Sequence, residues 1–177
     1  IIPLFLMSCG GKEVYNDLKQ QNLQGEIKQV RMSSYSVIEK FNQVEKKART
    51  SERENTLTIF NNKGNQVEKT FFSTTDKAMR NYVYRYDTKG NRALVNEFKE
   101  NGTLKTRYIY SYDPETNEVE INSYNGQGAF LQKEIRFYND KQLLLEEEIY
   151  NKKGELEQKQ INTYNDRDLC TETNIYN

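Results

Sequence analysis

The side chains that carry most enzyme chemistry are scarce in this chain. Of its 177 residues none is histidine. That removes the usual general base, the commonest metal ligand and any Ser-His or Cys-His nucleophile. Carboxylates occur in one run, Glu146-Glu147-Glu148. Successive strand residues face alternate sides, so only Glu146 and Glu148 share a face, and no apolar pocket is predicted there to raise a pKa for acid–base work. Asn139-Asp140 and Asn165-Asp166-Arg167-Asp168 have the residue types of calcium loops without the ligand count, and turn formation accounts for them. No Gly-x-x-x-x-Gly-Lys opens a helix, so the glycine turns are not phosphate loops. The chain reads as non-enzymatic, with no catalytic residue, metal ligand or cofactor site.

One constellation has binding potential: Tyr82, Tyr84, Tyr86, Tyr108, Tyr110 and Tyr112. Within each trio the spacing of two puts the rings on one face of a strand. If the two strands lie two apart in one sheet, they form an aromatic field with Leu94 and Phe98 between. Tyr82, Tyr84, Tyr108 and Tyr110 are the candidate binding residues, able to stack on a sugar ring or receive a partner protein. The other reading is that the field is the sheet's own cohesive surface, built from cross-strand aromatic pairs.

The elements that position these rings follow a clock. Phe60, Phe72, Tyr86, Phe98, Tyr112, Tyr124, Tyr138, Tyr150, Tyr164 and Tyr176 are separated alternately by 12 and 14 residues. The repeat is therefore 26 residues in two unequal halves. Asn or Asp follows most clock aromatics, and Gly stands four residues after five of them, at Gly64, Gly90, Gly102, Gly128 and Gly154. Asx side chains close turns on their own backbone and Gly supplies positive φ, so each tick ends a strand and starts a turn. Between ticks the residues alternate, as in Leu104, Thr106, Tyr108, Tyr110 and Tyr112 against Lys105, Arg107, Ile109 and Ser111. Strands of about eight residues joined by turns of about four give an antiparallel meander. The 12/14 alternation is expected from different turn geometries on the two edges. The position three before each tick is aliphatic in seven of ten units, including Val95, Ile109 and Ile121. Having the opposite parity, this stripe is expected on the face away from the clock aromatics. Apolar stripes on both faces predict an all-β fold, an open, twisted single sheet of two-strand repeats; the alternative is a meander curled into a barrel.

Tyr84-Arg85-Tyr86-Asp87-Thr88-Lys89-Gly90-Asn91 resembles the tyrosine-aspartate (YD, Rhs-type) repeat, and Phe98-Lys99-Glu100-Asn101-Gly102-Thr103-Leu104 is similar to MORN-type hairpin repeats. The resemblance covers about residues 60–177 and implies the fold only.

The first residues, Ile1-Ile2-Pro3-Leu4-Phe5-Leu6-Met7-Ser8-Cys9, resemble the end of a bacterial lipoprotein signal peptide: Leu6, Ser8 and Cys9 fit the lipobox. The resemblance implies cleavage before Cys9, acylation of that residue and anchoring in the envelope of a Gram-negative cell. Gly10 in place of Asp implies passage to the outer membrane. Several acyl chains on one residue anchor stably, each buried CH₂ contributing about 0.8 kcal/mol. The expected organisation is a signal remnant at 1–8, a lipid-anchored tether at 9–24, a capping hairpin at 25–59 and the repeat array at 60–177. Within the cap, Glu26 to Ile38 is predicted as one strand and Glu39 to Thr50 as a charged loop. Gly10 to Gln24 reads either as a solvated linker or as a short helix with Val14, Tyr15 and Leu18 on one face.

Composition limits the rest. With 26 basic and 26 acidic residues the net charge is zero, which argues against a nucleic-acid footprint. Hydrophobic residues make up only 35%, so a two-layer core would be thin, and the 13 tyrosines tolerate a half-wet face. Cys170 reads as a small half-buried strand residue. The partners expected are the membrane, through Cys9, and an envelope protein or glycan. The competing function is a carrier of a hydrophobic ligand in a curled sheet.

Overall fold

The computed structural model describes residues 16–50 and 54–177. A short helix, α1 (Asp17–Gln20), comes first. Strands β1 (Gln29–Met32), β2 (Tyr35–Lys40) and β3 (Gln43–Arg49) follow. The clocked region then supplies β4 (Thr56–Phe60), β5 (Gln66–Phe72), β6 (Ala78–Tyr86), β7 (Arg92–Lys99) and β8 (Leu104–Asp113). It continues through β9 (Glu118–Asn125), β10 (Phe130–Tyr138), β11 (Leu144–Asn151), β12 (Leu156–Tyr164) and β13 (Cys170–Tyr176). Every clock aromatic is the last or next-to-last residue of its strand. The fold is a long antiparallel meander in the order β1-β4-β5-β6-β7-β8-β9-β10-β11-β12-β13, with β2-β3 as a separate two-stranded sheet. The order does not close on itself, so the barrel alternative is not what the chain adopts. Contacts divide the described residues into two compact units. The first holds Asn16–Asn91 with Val95–Lys105, the second Arg92–Leu94 with Thr106–Asn177.

One turn recurs. The residue after the clock aromatic accepts a hydrogen bond from the amide three further on and donates its own amide to the carbonyl four further on. In the turn after Tyr150, Gly154 N–H donates to Asn151 O and Asn151 N–H to Glu155 O, each at 2.9 Å. This is a type I turn closed by a left-handed residue and a bulge. Eight of the nine turns between β4 and β13 are built this way. Their left-handed position holds Gly five times, and Asp76 (φ 71°), Gln142 (φ 63°) and Asp168 (φ 60°) in the others. The exception, after Asp113, uses Pro114 and places Asn117 at φ 54°. The Asn of the turn is spent on the turn itself: Asn165 Oδ1 accepts from Arg167 and Leu169 N–H at 3.0 and 3.1 Å, and Asn139 Oδ1 from Lys141 and Leu143 N–H at 3.0 Å.

Because the turns are alike, the 12/14 alternation does not come from turn geometry, contrary to expectation. It lies in the strands: β5, β7, β9, β11 and β13 have 7 or 8 residues, while β6, β8, β10 and β12 have 9 or 10.

The expected segregation of clock aromatics from the aliphatic stripe also fails. In the β4–β5–β6 ladders and those from β8 to β13, an even-numbered residue pairs with an odd-numbered one except at the bulge beside a turn, as in Tyr110↔Ile121, Ile121↔Glu134 and Glu134↔Ile149. An even interval therefore moves each successive clock aromatic to the opposite face. In the second unit Tyr112, Tyr138 and Tyr164 lie on one face, Tyr124, Tyr150 and Tyr176 on the other. The stripe alternates with them, which is how Ile121, 2% exposed, comes to share a face with Tyr110.

Three clock tyrosines have a further task. The Tyr112 hydroxyl donates to Arg92 O (3.0 Å) and that of Tyr164 to Leu144 O (2.8 Å). The Tyr86 hydroxyl lies 2.7 Å from Gln66 O. In each case the acceptor is 20 residues earlier and opens a strand, so the hydroxyl ties the end of one strand to the beginning of another.

The N-terminal part departs from the sequence reading. The strand expected from 26 to 38 breaks at Ser33-Ser34: β1 pairs with β4, and Ser34 N–H donates to the fully buried Asn55 Oδ1 at 3.1 Å. The segment read as a charged loop, Glu39 to Thr50, is the end of β2, the turn and all of β3 in the β2–β3 hairpin, turned by Phe41-Asn42 with both φ positive (51° and 60°). Alternating charges on a two-stranded ribbon wet on both sides give no apolar signal, which is why the sequence reads as loop. Residues 16–24 are not a solvated linker either. Asn16 caps α1 and donates to Lys63 O at 2.7 Å, Leu18 is buried, and buried Asp17 accepts from Gln66 N–H at 2.6 Å. A Cβ on Gly64 would fall 2.5 Å from Asn16 Nδ2, so any larger residue there would have to displace the side chain that caps α1. The signal remnant expected at 1–8, Cys9 and the rest of the tether to residue 15 lie outside the described residues.

Candidate binding face

In the first unit Tyr82 and Tyr84 stand on β6, both half-buried. Their rings stack at 6.5 Å and 27°, and Phe71 on β5 meets Tyr82 edge-on at 5.8 Å. Cations line the same cluster: Lys69 Nζ is 5.3 Å and the Arg80 guanidinium 5.0 Å from the Phe71 ring centre. Burial holds the Lys69 ammonium below its ordinary pKa. Tyr86 is engaged with Asp17 Oδ2, at 2.9 Å, and Gln66 O. Phe98 on β7 lines a shallow space with Glu68, Arg80 and Asn81.

In the second unit Tyr108 and Tyr110 stand half-buried on β8. The row across from Tyr110 runs through Ile121 and Glu134 to Ile149, and the row across from Tyr112 through Val119 and Arg136 to Glu147. These rows bring together a charged cluster that the sequence reading missed. Arg136 Nε donates to Glu147 Oε1 at 2.9 Å and forms an ion pair with Glu134. The buried Glu134 Oε1 lies against Arg136 without hydrogen-bond alignment. Desolvation, opposed by Arg136 and reinforced by Glu147, pushes the Glu134 carboxyl up to about 7. Burial works against the Arg136 charge, but Glu134, Tyr138 and Glu147 outweigh it and hold the guanidinium above its ordinary pKa. Burial likewise raises the phenols of Tyr110 and Tyr138. A sequence signal existed: Glu147 occupies a position that is aliphatic in seven of ten units.

The opposite face of this unit carries the other carboxylates. Glu146 and Glu148 share it, as expected, and Lys159 Nζ reaches Glu146 Oε1 at 2.5 Å and Glu148 Oε1 at 3.0 Å. The Tyr150 hydroxyl, helped by Lys159, lowers the Glu148 pKa, the wrong direction for a general acid. Cys170 is exposed at the start of β13 rather than half-buried. Among the described residues no group of three His, Cys, Asp or Glu side chains is placed to hold a metal. The structure thus groups Tyr82 with Tyr84 in one unit and Tyr108 with Tyr110 in the other.

No family model matches the sequence, and no curated protein does. Solved structures match in fold. A porin-like protein from Bacteroides uniformis superposes with a TM-score of 0.50 at 13% identity, over 78% of this chain and 68% of that one. A protein of unknown function from Bacteroides fragilis gives 0.45 at 12% identity, over 67% and 88%.

Proposed function

We propose that the protein is an envelope lipoprotein, acylated at Cys9 and held at the outer membrane, whose open meander is a non-enzymatic binding scaffold. The supporting observation is where the aromatic residues go. The chain has 13 tyrosines and 8 phenylalanines, yet among the described residues only Phe60 of these is buried. The remaining buried hydrophobic side chains among the described residues are Leu18, Val95, Ile121 and Leu144. Rings that close no core are presented on sheet faces, where they can stack on a sugar ring or fill a partner's pocket. Tyr82, Tyr84, Tyr108 and Tyr110 are the contact residues of this reading, and the ligand is an envelope glycan or protein. The carrier reading needs an enclosed apolar interior, which an open sheet does not supply.

Two experiments test the two halves of the proposal. Cys9→Ala is expected to release the protein from the membrane fraction; retention in the pellet after a high-salt wash refutes the anchor. Tyr84→Leu with Tyr110→Leu keeps apolar bulk but loses the rings. It is expected to reduce co-sedimentation with isolated peptidoglycan while the protein stays folded; unchanged sedimentation removes these rings from a glycan site.

A further inference from the structure

The β2–β3 hairpin breaks a local rule. Its two-residue turn needs positive φ at both central positions, where Asn-Gly or Asp-Gly is favoured. The first position instead holds Phe41, at φ 51°. A bulky side chain there is strained. The strain gains nothing inside the fold, because Phe41 is 100% exposed. Val37 and Val44, diagonal neighbours on one face of the hairpin, are 60% and 71% exposed. Lys46, across from Val37, and Glu39, across from Val44, share that face, while Lys40 and Lys47 stand on the other; with Arg49 the hairpin carries four basic residues against two acidic ones, Glu39 and Glu45. That is a local excess of positive charge in a chain whose charges balance. Arg49 is taken up by Asp76 at 2.6 Å, and Lys46 lies 3.5 Å from the centre of the Tyr35 ring. Lys40 and Lys47 approach Glu45 only loosely, at 3.7 and 3.5 Å, with side chains about half exposed.

We infer that the β2–β3 hairpin is a membrane-contact finger: Phe41, with Val37 and Val44 behind it, inserts into the interfacial layer of a bilayer, and the flanking lysines meet anionic lipid headgroups. An aromatic ring with an apolar shoulder suits the interface, and lysines keep their ammonium groups at headgroup level. Juxtamembrane basic residues add affinity for an anionic surface. One ring and a few charges bind weakly alone, so the finger orients a protein that is already tethered. The inference rests on the proposed lipid anchor for that setting, but its chemistry can be tested without it.

The test uses the full chain carrying Cys9→Ser, which cannot be acylated, co-sedimented with vesicles of phosphatidylglycerol and phosphatidylethanolamine, and with vesicles of phosphatidylcholine. Weak binding to the anionic vesicles is expected, lower on phosphatidylcholine. Phe41→Asn places a favoured residue in the turn, so the melting temperature should hold or rise while vesicle partition falls about tenfold. Lys46→Gln with Lys47→Gln should weaken binding to the anionic vesicles only. The inference is overturned if the parent does not sediment with anionic vesicles at millimolar lipid, or if Phe41→Asn sediments as well as the parent. Self-association that depends on Phe41 in the absence of lipid also overturns it, assigning the tip to a second copy. A failed Cys9→Ala release experiment refutes the anchor and leaves the vesicle result standing.

Discussion

Glu134 offers the sharpest test of the structure. Its carboxyl is buried, paired with Arg136 and crowded by Glu147, and its pKa is raised from 4.5 to about 7. A carboxyl raised in the folded state binds its proton more tightly there than in the unfolded chain. Stability therefore falls as pH rises from the unfolded value to the folded one. At about 1.4 kcal/mol for each pH unit, the loss amounts to about 3 kcal/mol, a large share of the stability of a small domain. Glu134→Gln removes the titration but leaves Arg136 its bond to Glu147, so one charge still faces one charge. Urea denaturation of parent and variant from pH 4.5 to pH 8 measures the difference. The two should run close at pH 4.5 and diverge steadily, with the variant more stable by up to about 3 kcal/mol at pH 8. A gap that stays constant across this window would show that Glu134 titrates as an exposed carboxyl, and would refute the buried cluster.

Gln142 sits at φ 63° where five other turns use glycine, so Gln142→Gly should raise stability by about 0.5–1 kcal/mol, read from the urea midpoint. Gly154→Ala, with open space around the new Cβ but φ at 83°, should lower it by a similar amount. Tyr86→Phe removes the hydroxyl shared by Asp17 and Gln66 O; a loss of about 1 kcal/mol is expected, with faster hydrogen exchange in α1 and at the Gln66 amide. Tyr84→Ser with Tyr110→Ser should lower the melting temperature, since aromatic pairs add roughly 0.5–1.5 kcal/mol beyond burial; melting within a degree of the parent would show that these rings do not hold the sheet together.

The sequence by itself determined what local chemistry decides. Asn and Gly at fixed offsets from the clock aromatics specify turns, and alternation between turns specifies strands. Their regular succession specifies a meander, because each of these depends on residues a few positions apart. The same logic placed Glu146 and Glu148 on one face and marked Asn139 and Asn165 as turn residues. Tertiary structure decided what depends on register. The turn that joins two strands sets whether an even position pairs with an odd one, and this single offset sends successive clock aromatics to opposite faces. The Glu134–Arg136–Glu147 cluster exists only because β10 and β11 pair in that register. Asp17 meets Tyr86 from 69 positions away, so α1 could not be told from a linker. The β2–β3 ribbon carries no apolar period, and its Phe41 became informative only once a positive φ and full exposure were seen together. Strand propensity is summed along the chain, whereas burial, ion pairing and the face a side chain occupies are fixed across it, by partners that adjacent sequence does not name.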